Sequence, residues 1–234
     1  MRAAFQADTL FGMNAELVSI QTGRVRKHTM PAGTRVDFRH ENWTSAIYKD
    51  SVGAARVRVG PLTIEGDEQA DLEHHGGPDN VVLAYDADRY PGWREELGMP
   101  TLAYGAFGEN FSVRGCSDET VCIGDVWEVG DEGLQLQVTQ ARQPCYKLAR
   151  RLGQPHIVKM VKERSAGGWY LRTLRPGFAA AGMVMILRER PHAYWSVARA
   201  VQVMYNRKKD EGAARALAAL PELSARWKRE LVEP

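Results

Sequence analysis

The sequence predicts a mixed, mainly β fold: a barrel or sandwich of short strands, helices set between some of them, and a small helical region at the C-terminal end. Three observations predict it. From about residue 15 to residue 145 most segments are short, alternate apolar with polar residues, and end in Gly, Pro or Asp. That is the pattern of half-buried strands joined by tight turns. A few stretches carry helical signals instead. After Pro191 three short amphipathic pieces follow one another.

Residues 1–14 read as a leader outside the folded region, too broken by polar residues for a secretory h-region. "AELVSIQTGRVRKH" alternates and breaks at Gly23. "TSAIYKDSVG" reads as a short strand ending at Lys49. "GAARVRVGPLTIEGD" alternates through Ala55, Val57 and Val59, then turns at Gly60-Pro61. "DNVVLAYDADRYPGWREELG" begins at an Asp and has apolar residues at helical intervals. Pro91-Gly92 breaks it, which predicts two short helices. "ENFSVRG", "GDVWEVGDEG" and "LQLQVTQAR" are strands bounded by Gly or Asp, with Asp125 and Asp131 as turn residues. Leu134, Leu136 and Val138 share one face. "QPHIVKMVKERSAG" starts with Pro155 near the first helical turn and ends at Gly167, a helix. "GWYLRTLRPGFAAAGMVMILRER" returns to strand, turns at Pro176-Gly177, and holds a strand over Met183–Arg188. Beyond Pro191, Ser196 and Ser224 stand at N-cap positions. Val197, Ala200, Val201 and Met204 form an apolar stripe at helical spacing. Three such short helices bury little alone, so they pack on one another and on the barrel, or on a second subunit. The organisation expected is a leader over 1–14, a barrel domain over 15–190 and a three-helix region over 191–234.

Composition excludes several classes. With 234 residues, 44% apolar and 26% charged, the chain can bury a large core. A net charge of +2 and the lack of a basic–aromatic stripe argue against nucleic acid. Residues 188–234 carry ten Lys/Arg against six Asp/Glu, a surplus of four, which leaves the remainder at −2. The tail is thus mildly basic, either a solvated helical face or a docking surface for an anionic partner. No apolar run approaches the roughly 20 residues that span a bilayer. Three cysteines and no CxxC argue against a complete disulfide framework and against a structural zinc site of usual spacing. Cys116 and Cys122 could pair only if geometry allowed. A reducing, cytoplasmic setting follows as the expectation.

Four places carry candidate chemistry. In "VTQARQPCYKL", Cys145 stands between Arg142 and Lys147 and directly after Pro144. Nearby cations favour the thiolate, the form that acts as nucleophile and metal ligand; the alternative is a small residue at a strand end with both cations in solvent. In "GDEQADLEHHGGPDN", Gly76-Gly77 would let backbone N–H groups approach an anion, Pro78-Asp79 would launch a helix, and His75 could add a donor. A plain tight turn is the alternative. The carboxylates Glu65, Asp67, Glu68 and Asp71 lack EF-hand spacing and read as loop and capping charges. In "GAFGENF", a turn at Gly108 would project the Asn110 amide toward a heterocycle or phosphate. Lys49 alone reads as a surface lysine or a cleft cation.

"EGDEQADLEHHGGPDNVVLAY", "FGENFSV" with "VCIGDVWEVG", and "VTQARQPCYKL" occur in this order and resemble the MOSC domain, named for the C-terminal domain of molybdenum cofactor sulfurases. The resemblance is closest to the bacterial stand-alone YiiM-like group, and residues 221–228 resemble the three-helix extension of that group. It implies a β-barrel-centred fold with peripheral helices and a small C-terminal bundle, holding a molybdopterin-type molybdenum cofactor. It implies Cys145 as molybdenum ligand and catalytic residue. It also implies cofactor binding by Lys49, His75, Asn110 and Arg142, with Gly76 and Gly77 as backbone contributors. His74, Cys116 and Cys122 match no such position. Similar proteins reduce N-hydroxylated compounds such as hydroxylated purine bases and amidoximes. This implies reduction of a small N-hydroxylated substrate to its amine. The chain shows no iron–sulfur run and no dinucleotide loop, so a separate reductase protein would supply the electrons. Two other readings stay open: a persulfide carrier on Cys145, and a module that binds or delivers the cofactor without turnover. A second copy of the chain stays open as a further partner.

Overall fold

Seven strands close into a ring because the first pairs with the last. The computed structural model describes residues 13–29, 42–71 and 76–233. β1 (Asn14–Thr22) pairs with β12 (Val184–Glu189) near its start and with β7 (Phe111–Arg114) further along. From β7 the ring runs through β6 (Val82–Asp86), β10 (Trp169–Arg175), β9 (Leu134–Ala141) and β8 (Val126–Val129) back to β12. Every ring pairing is antiparallel except β6 with β7. Closure leaves no unpaired edge in the ring. Smaller pairs decorate it: β2 (Arg26–Thr29) with β3 (Asn42–Ser45), β4 (Asp50–Ser51) on the end of β1, and β5 (Val57–Val59) with β11 (Gly177–Ala179). The barrel with peripheral and C-terminal helices is the architecture expected.

Period-two alternation sorts the ring residues. Leu17, Phe111, Trp127, Leu134, Leu136, Val138, Trp169 and Leu171 belong to one buried core and are at most 2% exposed. The opposite face of β6 carries Leu83 and Tyr85. Tyr85 enters a second apolar cluster with Trp93, Phe107, Leu148 and Ile157. That cluster seats α1 (Tyr90–Glu96), α2 (Tyr146–Leu152) and α3 (Ile157–Glu163) against the barrel wall.

The C-terminal helices are α4 (Val197–Asn206), α5 (Glu211–Ala218) and α6 (Ala225–Val232). Ser196 and Ser224 cap α4 and α6 as expected, accepting from Arg199 N at 3.2 Å and Trp227 N at 3.1 Å. Val197, Ala200, Val201 and Met204 are all buried, and with Leu217 and Trp227 they join the barrel's own core. Of the two packing partners the sequence left open, the barrel takes this face.

Three expectations change. Residues 82–86 form β6, not a helix; all five are buried because the barrel covers one face and the helices the other, and a strand buried on both faces loses its alternation. Pro91 does not break a helix but lies in the first turn of α1, where its missing N–H is harmless. Helix α2, starting directly after Cys145, was not foreseen. Asp125 closes a turn as expected, its N–H donating to Cys122 O at 3.1 Å; it is also fully buried, accepts from Cys122 N at 2.9 Å, and pairs with Arg190 at 2.6 Å. Of the expected leader only residues 13 and 14 are described, and Asn14 already begins β1, opposite Ile186.

Candidate functional site

Strand β9 ends at Ala141, and its alternation continues into Arg142, on the same side as Gln140. Arg142 N donates to Gly168 O at 2.8 Å, extending the β9–β10 pairing by one rung. Glycine is needed here: a Cβ at Gly167 would stand 2.2 Å from Arg142 O. The chain then turns through buried Pro144 to Cys145, whose extended backbone (φ −116°, ψ 172°) immediately precedes α2. Cys145 is half-buried and free. The proline and the helix start hold the sulfur at the rim of a cleft.

That cleft has about 100 Å³ of free volume and is lined by Lys49, Asp67, Asn80, Asn110, Arg142 and Cys145, among others. Arg142 is 6% exposed. Its Nη2 donates to Phe107 O at 3.2 Å, and its buried Nη1 has no hydrogen-bond partner among the described residues. A buried guanidinium nitrogen without an acceptor is costly unless a ligand supplies one. Lys147 also reaches this lining.

Lys49 precedes β4 rather than ending a strand, and it is not a surface lysine. Its side chain is 6% exposed and its Nζ lies 2.5 Å from Asp67 Oδ1. Burial pulls this ammonium below its ordinary value, and the Asp67 carboxylate opposes the shift. Asp67 also accepts from Gly23 N at 2.7 Å. It is therefore the cleft's fixed countercharge rather than a loop charge. Glu68, by contrast, does tie a loop, accepting from Val25 N at 2.8 Å.

Asn110 lines the cleft, but its amide is committed to the fold. Oδ1 accepts from Leu83 N and Nδ2 donates to Gln21 O, each at 3.2 Å, so the side chain bridges β6 and β1. The preceding turn is built on fully buried Glu109, which accepts from Gly105 N at 2.7 Å, Phe107 N at 3.2 Å and Ser112 Oγ at 3.0 Å.

The glycine pair does something other than expected. No helix follows Pro78-Asp79, so there is no helix N-terminus to hold a phosphate. Gly76 and Gly77 lie outside the cleft lining, and their carbonyls accept from Asn80 Nδ2 at 3.3 Å and Asn80 N at 3.1 Å. Asn80 reaches the cleft instead, 5% exposed and with Oδ1 unpartnered among the described residues. His75 and His74 lie outside the described residues. The structure thus brings together Lys49, Asn110, Arg142 and Cys145, and adds Asp67 and Asn80. Cys116 and Cys122 are buried free thiols away from the cleft lining. Burial pushes both thiols up, Cys122 to about 11. Among the described residues no cluster of His, Cys, Asp and Glu could hold a metal by itself, and no helix is long and apolar enough to cross a membrane.

Residues 71–185 match the model of the MOSC domain, and residues 195–233 match that of the YiiM-like 3-alpha helix domain. YflK of Bacillus subtilis is 40% identical over 72% of this chain and 75% of its own length. The chain belongs to the MOSC domain family. The structure of YiiM from Geobacillus stearothermophilus superposes on this MOSC chain with a TM-score of 0.74, at 30% identity, covering 93% of this chain and 97% of that one. YiiM from Escherichia coli gives 0.66 at 26% identity, covering 78% and 85%. A Gibberella moniliformis protein named reductase is 36% identical over 80% of this chain, which spans only 32% of that longer protein. MOSC domains are associated with the molybdenum cofactor. In this MOSC chain the matched region holds Asn80, Asn110, Arg142 and Cys145, whereas Lys49 and Asp67 precede it.

Proposed function

We propose that this chain holds a molybdenum cofactor at Cys145 and reduces N-hydroxylated compounds, of hydroxylaminopurine or amidoxime type, to amines. One observation carries the reading. A half-buried thiol shares a cleft with a buried arginine whose Nη1 lacks an acceptor. Those residues fit the group: a soft anionic sulfur suits the metal, and an unsatisfied guanidinium suits a phosphate. The family's association with this cofactor and the name of the Gibberella relative support the same reading.

Bound there, the cofactor would supply the two-electron redox centre. Cys145 would give its thiolate to the metal. Arg142 would turn Nη1 to a phosphate oxygen while Nη2 stays on Phe107 O. Lys49, held by Asp67, would add a second positive charge in a site screened from water, where charge acts strongly. Asn110 would keep β1 and β6 in register beneath the cleft. The reaction balances as R–NH–OH plus two electrons and two protons giving R–NH2 plus water. A separate reductase protein supplies the electrons.

The test begins with metal and pterin quantification on protein made in a cofactor-competent host, followed by reduction of an N-hydroxylated purine with a chemical reductant. Near-stoichiometric molybdenum and amine formation, both abolished by Cys145→Ala in a folded protein, are expected. Full activity without the Cys145 sulfur overturns the proposal. Cyanide-labile sulfur without metal would instead make Cys145 a persulfide carrier, and bound pterin without turnover would make the chain a delivery module.

A further inference from the structure

A second cavity meets the first at Cys145. It encloses about 300 Å³, and its lining includes Gln140, Gln143, Lys162 and Arg226. Asp71, Cys145 and Tyr170 line both cavities. Small-molecule sites begin at roughly this size. The walls come from three parts of the chain: Gln140 and Tyr170 from β9 and β10, Lys162 from α3, and Arg226 from α6.

The floor is built from cross-strand register. Tyr170 pairs with Gln140 on one side and with Leu83 on the other, so the three side chains form a row. None belongs to either apolar cluster, although they are 9%, 2% and 6% exposed. Their neighbours Val82, Ala84, Trp169, Leu171 and Ala141 face the barrel core. The row therefore lies on the outer wall, under both cavities.

Gln140 is oriented by α6. Ser224 Oγ donates to Gln140 Oε1 and accepts from Trp227 N. Further bonds fix this helix start in place: Ser224 N to Thr139 O at 3.1 Å, and Ala225 N to Asp79 Oδ2 at 3.0 Å. With its carbonyl engaged, Gln140 has its amide N–H2 left for a ligand. That nitrogen and the Tyr170 hydroxyl have no hydrogen-bond partner among the described residues. Two such donors, on side chains of residues only 2% and 9% exposed and beside the same sulfur that borders the anion-seeking cleft, suit a ligand that brings acceptors.

We propose that this second cavity receives the substrate: a small, acceptor-rich heterocycle or amidine, held by Gln140 Nε2 and the Tyr170 hydroxyl, with its reducible group at Cys145 and its far end under Arg226 of α6. The inference rests on the reading of Cys145 given above. It makes the C-terminal bundle a wall of the site, not an appendage. The buried cations Arg142 and Lys49 face the cleft proposed for a phosphorylated cofactor, whereas the floor of the second cavity carries the neutral donors of Gln140 and Tyr170, with Lys162 and Arg226 on its walls. Burial pushes the Tyr170 phenol up, so it stays protonated at neutral pH. It can then donate a hydrogen bond to the oxygen that leaves as water.

The experiment uses the holoprotein and the variants Gln140→Leu, Gln140→Glu and Tyr170→Phe. Three quantities are read: molybdenum per chain, equilibrium binding of adenine as a non-reducible probe, and KM and kcat for an N-hydroxylated purine. Molybdenum should match the parent in all three variants. Adenine affinity should fall roughly tenfold for both Gln140 variants, the effect of one lost buried hydrogen bond, with KM rising in step. Gln140→Glu keeps the Ser224 contact and presents an acceptor in place of the donor, so it separates pocket chemistry from a folding defect. Tyr170→Phe should lower kcat more than it raises KM. Adenine affinity and KM within about twofold of the parent in both Gln140 variants overturn the proposal. So does loss of molybdenum in place of affinity, which would give the cavity to the cofactor. Adenine binding needs no turnover, so failure of the reductase reading alone leaves this readout standing.

Discussion

Replacing Asp67 by asparagine probes the cleft's electrostatics at a single atom pair. The Lys49 and Asp67 side chains are 6% and 3% exposed, and they meet at 2.5 Å. An asparagine oxygen can still accept from Gly23 N, so the loop tie survives. What disappears is the countercharge of a buried ammonium. Removing one partner of a buried ion pair costs about 3–5 kcal/mol. Lys49 has one escape, which is to lose its proton. Burial already holds it below the usual 10.5, with Asp67 opposing. In Asp67→Asn the folded value falls further, while the unfolded value stays near 10.4, roughly the free side chain's. Between those two values the unfolded chain binds more protons, so stability rises with pH by up to about 1.4 kcal/mol per unit. The penalty is therefore full at low pH, where Lys49 is charged, and shrinks as pH climbs through the variant's lysine value. Urea unfolding of parent and variant from about pH 6 to about pH 10 reads the difference. A penalty under about 1 kcal/mol at neutral pH, or one that does not shrink with pH, would refute the buried-pair account.

Three further outcomes follow from other parts of the fold. Asp118 is 1% exposed, and burial pushes its carboxyl up to about 7, with Arg89 opposing. Its folded value lies above its unfolded one, so the native state binds the extra proton, and the parent loses stability as pH rises from about 4 to 7. Asp118→Asn keeps an acceptor for Gly168 N and should gain on the parent across that window, by at most about 4 kcal/mol; thermal melts that track each other at every pH would contradict it. Gly168→Ala places a Cβ 2.3 Å from Ala84 O at a φ of +78°. It should cost more than the roughly 1 kcal/mol of an ordinary glycine replacement and displace Arg142, read as lowered molybdenum content together with a lower urea midpoint. Trp227→Ala removes a fully buried ring from the shared core of α6 and the barrel. A loss of about 3–5 kcal/mol is expected in one cooperative transition; two separate transitions would mean the helices fold apart from the barrel.

Much of the fold was legible because most ring strands bury one face. Leu134, Leu136 and Val138 announce β9 by alternation, and Ser196 and Ser224 mark their helices by cap chemistry. Val82–Asp86 misled because a strand covered on both sides carries no alternation, and the neighbouring Pro91-Gly92 looked like a helix break. Helix α2 was hidden for a related reason. It has only seven residues, and its start at Cys145 has no side-chain cap. Within the site, Cys145, Arg142, Asn110 and Lys49 were singled out by local chemistry and motif resemblance. Asp67 was in view but could not be ranked above Glu65, Glu68 and Asp71, since only the approach of Lys49 distinguishes it.

By itself the sequence determined most of the ring strands, the C-terminal helices, the family, and the cysteine set between cations, because alternation, caps and short motifs act between near neighbours in the chain. Only the tertiary structure decided that Gly76 and Gly77 turn away, that Asp67 holds Lys49, and that Leu83, Tyr170 and Gln140 line up beneath one sulfur with α6 as a wall. Those facts depend on which strands lie side by side when the barrel closes, and register between residues many tens apart leaves no trace in local spacing.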